Sequence, residues 1–272
     1  MVDSNLRPLT VDEMYGEWDY VAAVELLDRS LNPRPSASIF DTVESLGIAS
    51  EDVVLDIGGR DAHHGLLMAE RFGCRVVSVD PATANIDDGL RNISGHEFGS
   101  LVSVVRGSIE DIPAADNEFD LIFSRDMMSH VADQTLGFAE CARVLKPGAA
   151  MVVHGVFATE LLEPREAERL YADLAVVPGS MMVAGFEDAA HRAGFSIEEL
   201  DVIGSQWYEA SQEAGTAPNY ALQVSRLRRA ENELLDELGE VPYRVMYGNA
   251  LWGIYILIGK LETRLYVLRL PG

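Results

Sequence analysis

The sequence predicts an α/β protein with a doubly wound, mostly parallel sheet. Short apolar runs alternate with amphipathic stretches of helical length from Val53 to His154, and a helix between two strands is the connection that a parallel sheet requires. The run at 53–81, VVLDIGGRDAHHGLLMAERFGCRVVSVDP, reads strand, glycine turn, helix, strand, acid, which is one βαβ unit opening a nucleotide site. At 272 residues, 48% of them apolar, the chain is long enough for one large domain or a domain with a small lid.

The elements follow in order. Val11 to Ser30 carries Met14, Trp18, Val21, Val24 and Leu27 near helical spacing, and Pro33 and Pro35 end that helix. A second helix over 38–46 stops at Gly47, so residues 1–50 form a helical preface. The first strand ends on Asp56, with Gly58 and Gly59 beyond it. A helix over 61–72 buries Leu66, Leu67, Ala69 and Phe72 and has Asp61 as a good N-cap. The strand at 75–79 ends on Asp80. A helix at 83–92, a strand at 101–106 and a turn at Asp116-Asn117-Glu118 lead to the fourth strand, 119–124. The helix at 133–145 stops at Lys146-Pro147-Gly148, and the fifth strand, 149–154, ends on His154. Helices at 163–172, 185–193, 219–238 and 243–259 and strands at 195–203 and 263–270 complete the chain.

Lys and Arg number 21 against 44 Asp and Glu, a net charge of −23. Such a surface repels nucleic acid and anionic lipid. Cys74 and Cys141 have no metal-ligand spacing and no disulfide framework, so no metal is expected. Asp3, Arg7, Asp12 and Glu13 interrupt any signal peptide. Ala250 to Ile258 is the longest apolar run, far short of the ~20 residues of a membrane span. The expectation is a cytoplasmic protein that meets a small molecule rather than nucleic acid or membrane; a homo-oligomer is left open.

A dinucleotide site wants Gly-x-Gly-x-x-Gly, with pyrophosphate on the helix N-terminus. Here the run is Gly58-Gly59-Arg60-Asp61-Ala62. Two fingerprint glycines are absent, and Asp61 would repel pyrophosphate. A ligand with adenosine and no phosphate fits better, and S-adenosyl-L-methionine is the obvious one. The stretch resembles motif I of the class I S-adenosylmethionine-dependent methyltransferases. Four further stretches strengthen the resemblance: Gly107-Ser108-Ile109-Glu110, Ile112-Pro113 through Phe119-Asp120, His130-Val131-Ala132-Asp133, and Arg143-Val144-Leu145-Lys146-Pro147-Gly148-Ala149. Their order over 53–154 is more specific than any one of them. The resemblance implies a Rossmann-like, seven-stranded sheet whose last strand runs antiparallel between the fifth and sixth. It also implies helical lid inserts, within about 157–193 and 205–260, like those of sarcosine, sugar and natural-product methyltransferases.

Site residues follow from the same reading. Asp80, with Pro81 beside it, should accept the ribose hydroxyls, because an ionised carboxylate only accepts. Asp56, Gly58 and Gly59 should line the methionine end. Ser108, Ile109 and Glu110 should flank adenine, and Ser124 and Arg125 should offer backbone carbonyls to the methionine ammonium. Arg60 replaces a family glycine; its side chain either reaches the methionine carboxylate or pairs with Asp61 or another surface acid. His130 and His154 are the candidate bases, His130 being where similar sugar O-methyltransferases place a histidine facing the acceptor; each is also open to a purely structural role. Tyr15, Trp18, Arg125, Met128, His130, His154, Phe157, Trp207 and Tyr208 are the candidates for acceptor recognition, Tyr15 and Trp18 as part of an N-terminal cover. Clustered Arg or Lys for a diphosphate acceptor is lacking, so C-methylation of a prenyl diphosphate is a minor alternative. A domain that binds the cofactor without catalysis is the other.

Overall fold

In a computed structural model of the protein, residues 7–16 and 18–272 are described. They divide into two compact units, one ending at Pro33 and one running from Arg34 to Gly272.

The first unit holds two short helices, α1 (Val11–Met14) and α2 (Tyr20–Leu27), where one helix over 11–30 was expected. Two N-caps explain the break. Thr10 and Glu13 form a capping box for α1, and the Asp19 carboxylate accepts from Ala22 N at 3.0 Å and starts α2. Neither helix buries a residue. Asp3, used in the sequence reading, lies outside the described residues.

The second unit begins with α3 (Ile39–Ser45) and β1 (Val53–Ile57), followed by α4 (His63–Phe72), β2 (Arg75–Asp80), α5 (Thr83–Ser94) and β3 (Val102–Arg106). Then come β4 (Phe119–Arg125), α6 (Gln134–Val144), β5 (Leu145–Ala158), α7 (Pro164–Leu174), α8 (Val183–Arg192) and β6 (Ser196–Val202). The chain ends with α9 (Gln206–Glu213), α10 (Tyr220–Arg229), α11 (Glu231–Leu238), α12 (Glu240–Leu257) and β7 (Leu261–Arg269). The sheet has seven strands in the order β3-β2-β1-β4-β5-β7-β6. β7 is antiparallel to both its neighbours, and the first five strands pair in parallel, as expected.

Alternation along the strands gives the sheet two buried faces. Leu55, Ile57, Ile122 and Val153 point to one core with Phe138 of α6 and Phe186 of α8. Val54, Leu121, Phe123 and Val152 point to the other with Phe40 of α3 and Leu66 and Met68 of α4. Phe40 stacks on Phe123 at 5.9 Å. Helix α3 therefore belongs with the sheet, as does α8, whose Phe186, Ala189 and Ala190 are core residues rather than part of a lid. Above the sheet, α7 and α12 close a smaller core of Leu170, Tyr255 and Ile256.

Three element boundaries differ from expectation with identifiable causes. β5 runs to Ala158, because β7 pairs with it as far as Ala158; His154 is therefore mid-strand, not at a strand end. α12 starts at Glu240, ahead of Pro242. Proline is tolerated there because the first-turn N–H groups have no helical partner anyway. The helix expected over 219–238 is two, α10 and α11, parted at Ala230 (φ −111°, ψ 31°); nothing in the structure explains that break.

Candidate active site

The strand order reverses between β1 and β4, and ligands of open α/β sheets bind outside the carboxyl ends of strands at such a point. A cavity of about 1050 Å³ opens there. Its lining runs from the loops after β1, β2 and β3 to the end of β4, and on to the end of α7 and one face of α12.

The loop after β1 is shaped by its backbone. Gly58 N and Gly59 N donate to Val79 O at 2.8 and 3.1 Å. A Cβ on Gly59 would lie 1.9 Å from Ser78 Oγ and 2.5 Å from Asp56 Oδ2, so that position must be glycine. Gly58, Arg60 and Ala62 all have positive φ, 75°, 52° and 59°. The last two are residues that pay a steric penalty of ~1–2 kcal/mol in that region. Ala62, not Asp61, occupies the cap position of α4; the left-handed residue shifts the helix start and leaves the Asp61 side chain one position early. Arg60 is exposed at the cavity wall and makes no ion pair with Asp61.

Asp56 lies beneath this loop instead of on the cavity wall. It is 2% exposed and accepts from Ser78 Oγ at 3.1 Å. Burial pushes its carboxyl up to about 7, against the opposing hydrogen bonds from Ser78 and Gly65. The folded pKa is raised above the ordinary 3.8, so the stabilisation is complete below about pH 4 and is lost as pH rises to about 7. Three units correspond to about 4 kcal/mol at most. Asp56→Asn is expected to remove this slope, so the variant gains stability relative to the wild type between pH 4.5 and pH 8, roughly 2–4 kcal/mol. Urea midpoints of both proteins at the two pH values measure it; parallel curves would refute the buried proton.

Asp80 is 7% exposed and lines the cavity. Arg60 N donates to its Oδ2 at 3.0 Å, and Ala82 N and Asn85 Nδ2 donate to its Oδ1 at 2.9 Å each. Three protein donors thus hold the carboxylate, leaving about one of its four lone-pair sites open. The Asn85 amide also reaches the cavity wall. Sequence reading missed Asn85, although its place in the first turn after Asp80 was a usable signal. Pro81, Ser108, Ile109 and Glu110 line the same end.

At the end of β4, Arg125 has three partners. Its Nη1 is 3.0 Å from His64 Nε2, its Nε donates to Asp126 Oδ2 at 3.3 Å, and its guanidinium carbon is 5.4 Å from the Trp207 ring. Burial, then the charge of Arg125, pushes His64 down to about 4, so the neutral ring accepts from the guanidinium. Partial desolvation raises the Asp126 carboxyl, but His154 and then Arg125 beside it outweigh this and hold the group well below the usual range. Although half of the Asp126 side chain is exposed, it lies 2.7 Å from His154 Nδ1, and its exposed part lines the cavity. Sequence reading missed both His64 and Asp126 as cavity residues.

Several expected contacts lie elsewhere. His154 is 2% exposed and stacked on Trp207 at 4.4 Å; neither ring lines the cavity. Trp207 is buried and donates to Ser38 Oγ at 3.2 Å. Phe157 packs on Phe186 and Tyr266 in the main core, and Met128 is buried there too. Ser124 and Gly59 are buried off the wall. For the strand residues Ser124, His154 and Phe157 the cause is shared: both faces of the sheet are covered, so nearness to the cavity end of a strand does not by itself give access. Tyr15 and Trp18 are exposed residues of the N-terminal unit. Arg125, His130 and Tyr208 do line the cavity, together with Val241, Arg244, Val245, Asn249 and Trp252 on one face of α12. Burial raises the Tyr208 hydroxyl above its ordinary value.

Comparison with known proteins agrees with this geometry. Residues 55–153 match the model of a methyltransferase domain. A glycine/sarcosine/dimethylglycine N-methyltransferase of Actinopolyspora halophila is 26% identical over 198 residues, 71% of this chain and 32% of the relative. A ubiquinone biosynthesis O-methyltransferase of Hahella chejuensis is 37% identical over 97 residues, 35% of this chain and 40% of the relative. The chain thus spans well under half the length of either. Among solved structures, Haemonchus contortus phosphoethanolamine N-methyltransferase 2 in complex with S-adenosyl-L-methionine superposes with a TM-score of 0.66 at 18% identity, over 90% of this chain and 55% of that one. Residues 55–153 therefore form a methyltransferase domain, on a fold shared with that solved S-adenosyl-L-methionine complex.

Proposed function

We propose that the protein transfers a methyl group from S-adenosylmethionine to a small organic acceptor bound beneath α12. The observation that carries this is a single continuous cavity linking Asp80 and Ile109 at one end to His130, Tyr208 and Trp252 at the other. Its volume, about 1050 Å³, meets the upper end of the ~300–1,000 Å³ typical of one small-molecule site, which leaves room for cofactor and acceptor side by side.

The residues present fit the cofactor. Asp80 and Asn85 are placed for ribose hydroxyls, Ile109 for the face of adenine, and Ser108 and Glu110 for its edge. Gly58, Arg60 and the end of β4 border the amino-acid end. When bound, the cofactor supplies an electrophilic methyl carbon. The chain's task is then to hold a nucleophile in line with that carbon and, for a hydroxyl or ammonium acceptor, to remove its proton. His130 is the candidate for the proton, standing exposed on the cavity wall. His154 is not, being enclosed by Asp126 and Trp207. Val241, Val245 and Trp252 give the acceptor an apolar ceiling and Asn249 one amide. A diphosphate acceptor is disfavoured: Arg125 already faces Asp126, and Arg244 faces Asp173 at 2.7 Å.

The test is a panel of acceptors with methyl-labelled S-adenosylmethionine: sarcosine, dimethylglycine, phosphoethanolamine and a dihydroxybenzene. Label should pass to at least one, with equimolar S-adenosylhomocysteine. Tight binding of S-adenosylhomocysteine without transfer to any of them would favour the non-catalytic reading.

A further inference from the structure

The loop that carries His130 is tied to the segment after α7 at three points. Val177 N donates to Ser129 O at 2.9 Å. Ser180 Oγ donates to Val131 O at 2.6 Å. His130 Nδ1 lies 3.1 Å from Ala175 O. A carbonyl can only accept, so the hydrogen in that contact sits on Nδ1. A neutral imidazole has a single N–H, which leaves Nε2 with its lone pair. The bond therefore settles the tautomer, and in the form that a base requires.

Ala175 is an unusual anchor. It is the C-cap of α7, in the left-handed region at φ 53° and ψ 37°, where a residue with a Cβ is strained. Its own N–H and that of Val176 both turn back to Tyr171 O, which holds the strained turn closed. Its carbonyl is one of those a helix leaves without a partner. The negative end of the helix macrodipole lies there as well, so the bond to Nδ1 strengthens when the ring takes up a proton at Nε2.

We infer that the C-terminal carbonyl of α7 is the orienting group of His130, in the role that a carboxylate has in a Ser-His-Asp arrangement. Ser180 is a positioning residue: it is 4% exposed, lies off the cavity wall, and fixes the loop through Val131. The catalytic meaning of this arrangement rests on His130 being the base; the tautomer does not.

The experiment is a long-range proton–nitrogen correlation spectrum of the ¹⁵N-histidine protein saturated with S-adenosylhomocysteine, at a pH well above the ordinary histidine range. His130→Ala identifies the signal. The expected pattern for His130 is a protonated Nδ1 and an unprotonated Nε2. A protonated Nε2 would overturn the inference whatever the kinetics. Ser180→Ala, with its S-adenosylhomocysteine-induced rise in melting temperature unchanged, should show roughly a tenth or more of the other tautomer, because the loop carrying His130 is then held by one bond fewer. Ser180→Thr, which keeps the hydroxyl, should restore a single tautomer. A Ser180→Ala spectrum identical to the wild type would remove the strap from the mechanism. If the tautomer is as stated but His130→Ala retains its turnover, the base reading fails and the orienting carbonyl remains.

Discussion

Asp80→Asn is expected to weaken S-adenosylhomocysteine binding by on the order of 100-fold, from two causes. The first is the lost bond from a ribose hydroxyl to a charged acceptor, worth about 1.5–3 kcal/mol, with tenfold in affinity for each 1.4 kcal/mol. The second is local. Arg60 N, Ala82 N and Asn85 Nδ2 all donate to this carboxylate, and an amide nitrogen in place of either oxygen sets donor against donor. The loop after β1 would then lose its anchor on β2. Calorimetric titration gives the affinity, and a melt without ligand shows how much of the change is structural. An unchanged affinity would put the ribose elsewhere and undo the assignment of the whole β2 end.

His130→Ala should lower kcat by roughly 10²–10⁴-fold, the range of general acid–base catalysis, with an acceptor whose methylated atom starts as O–H or N–H. Binding of S-adenosylhomocysteine should barely change if His130 faces the acceptor rather than the cofactor. Steady-state kinetics at saturating acceptor, paired with calorimetry on the same variant, separate the two roles open to this residue. Loss of cofactor binding with kcat would mean that the ring supports the cofactor. A wild-type kcat would mean that alignment alone suffices or that the proton leaves by another route.

Much of this was readable from residue order. The Asp56 to Asp80 unit, the four stretches over 53–154 and the strand–helix alternation set the architecture, because they are local signals with a fixed period. Asp80, Ile109, Arg125 and His130 were reachable because each sits at, or shortly after, the C-terminal end of a strand. What could not be read depends on pairing across the sequence. His154 was mistaken for a strand-end residue because only its partner β7 carries β5 on to Ala158. Phe157 was pulled into the core by the same extension. His64 lies at the start of α4, and only the fold brings Arg125, at the end of β4, to it. Asp126 carries no motif at all; its charge matters because His154 and Arg125 flank it.

The loop after β1 has a consequence for the heat and entropy of binding. Arginine and alanine hold left-handed positions there that glycine would occupy with less strain. An unfolded chain with those residues has fewer conformations to lose than a glycine-rich one, and the bonds to Val79 O and Asp80 Oδ2 fix the turn. The ordering of the turn is therefore completed when the protein folds rather than when a ligand arrives. Preorganisation of this kind reduces the entropic cost of association, so S-adenosylhomocysteine should bind with a smaller entropic penalty than it would to a variant with glycine at both positions.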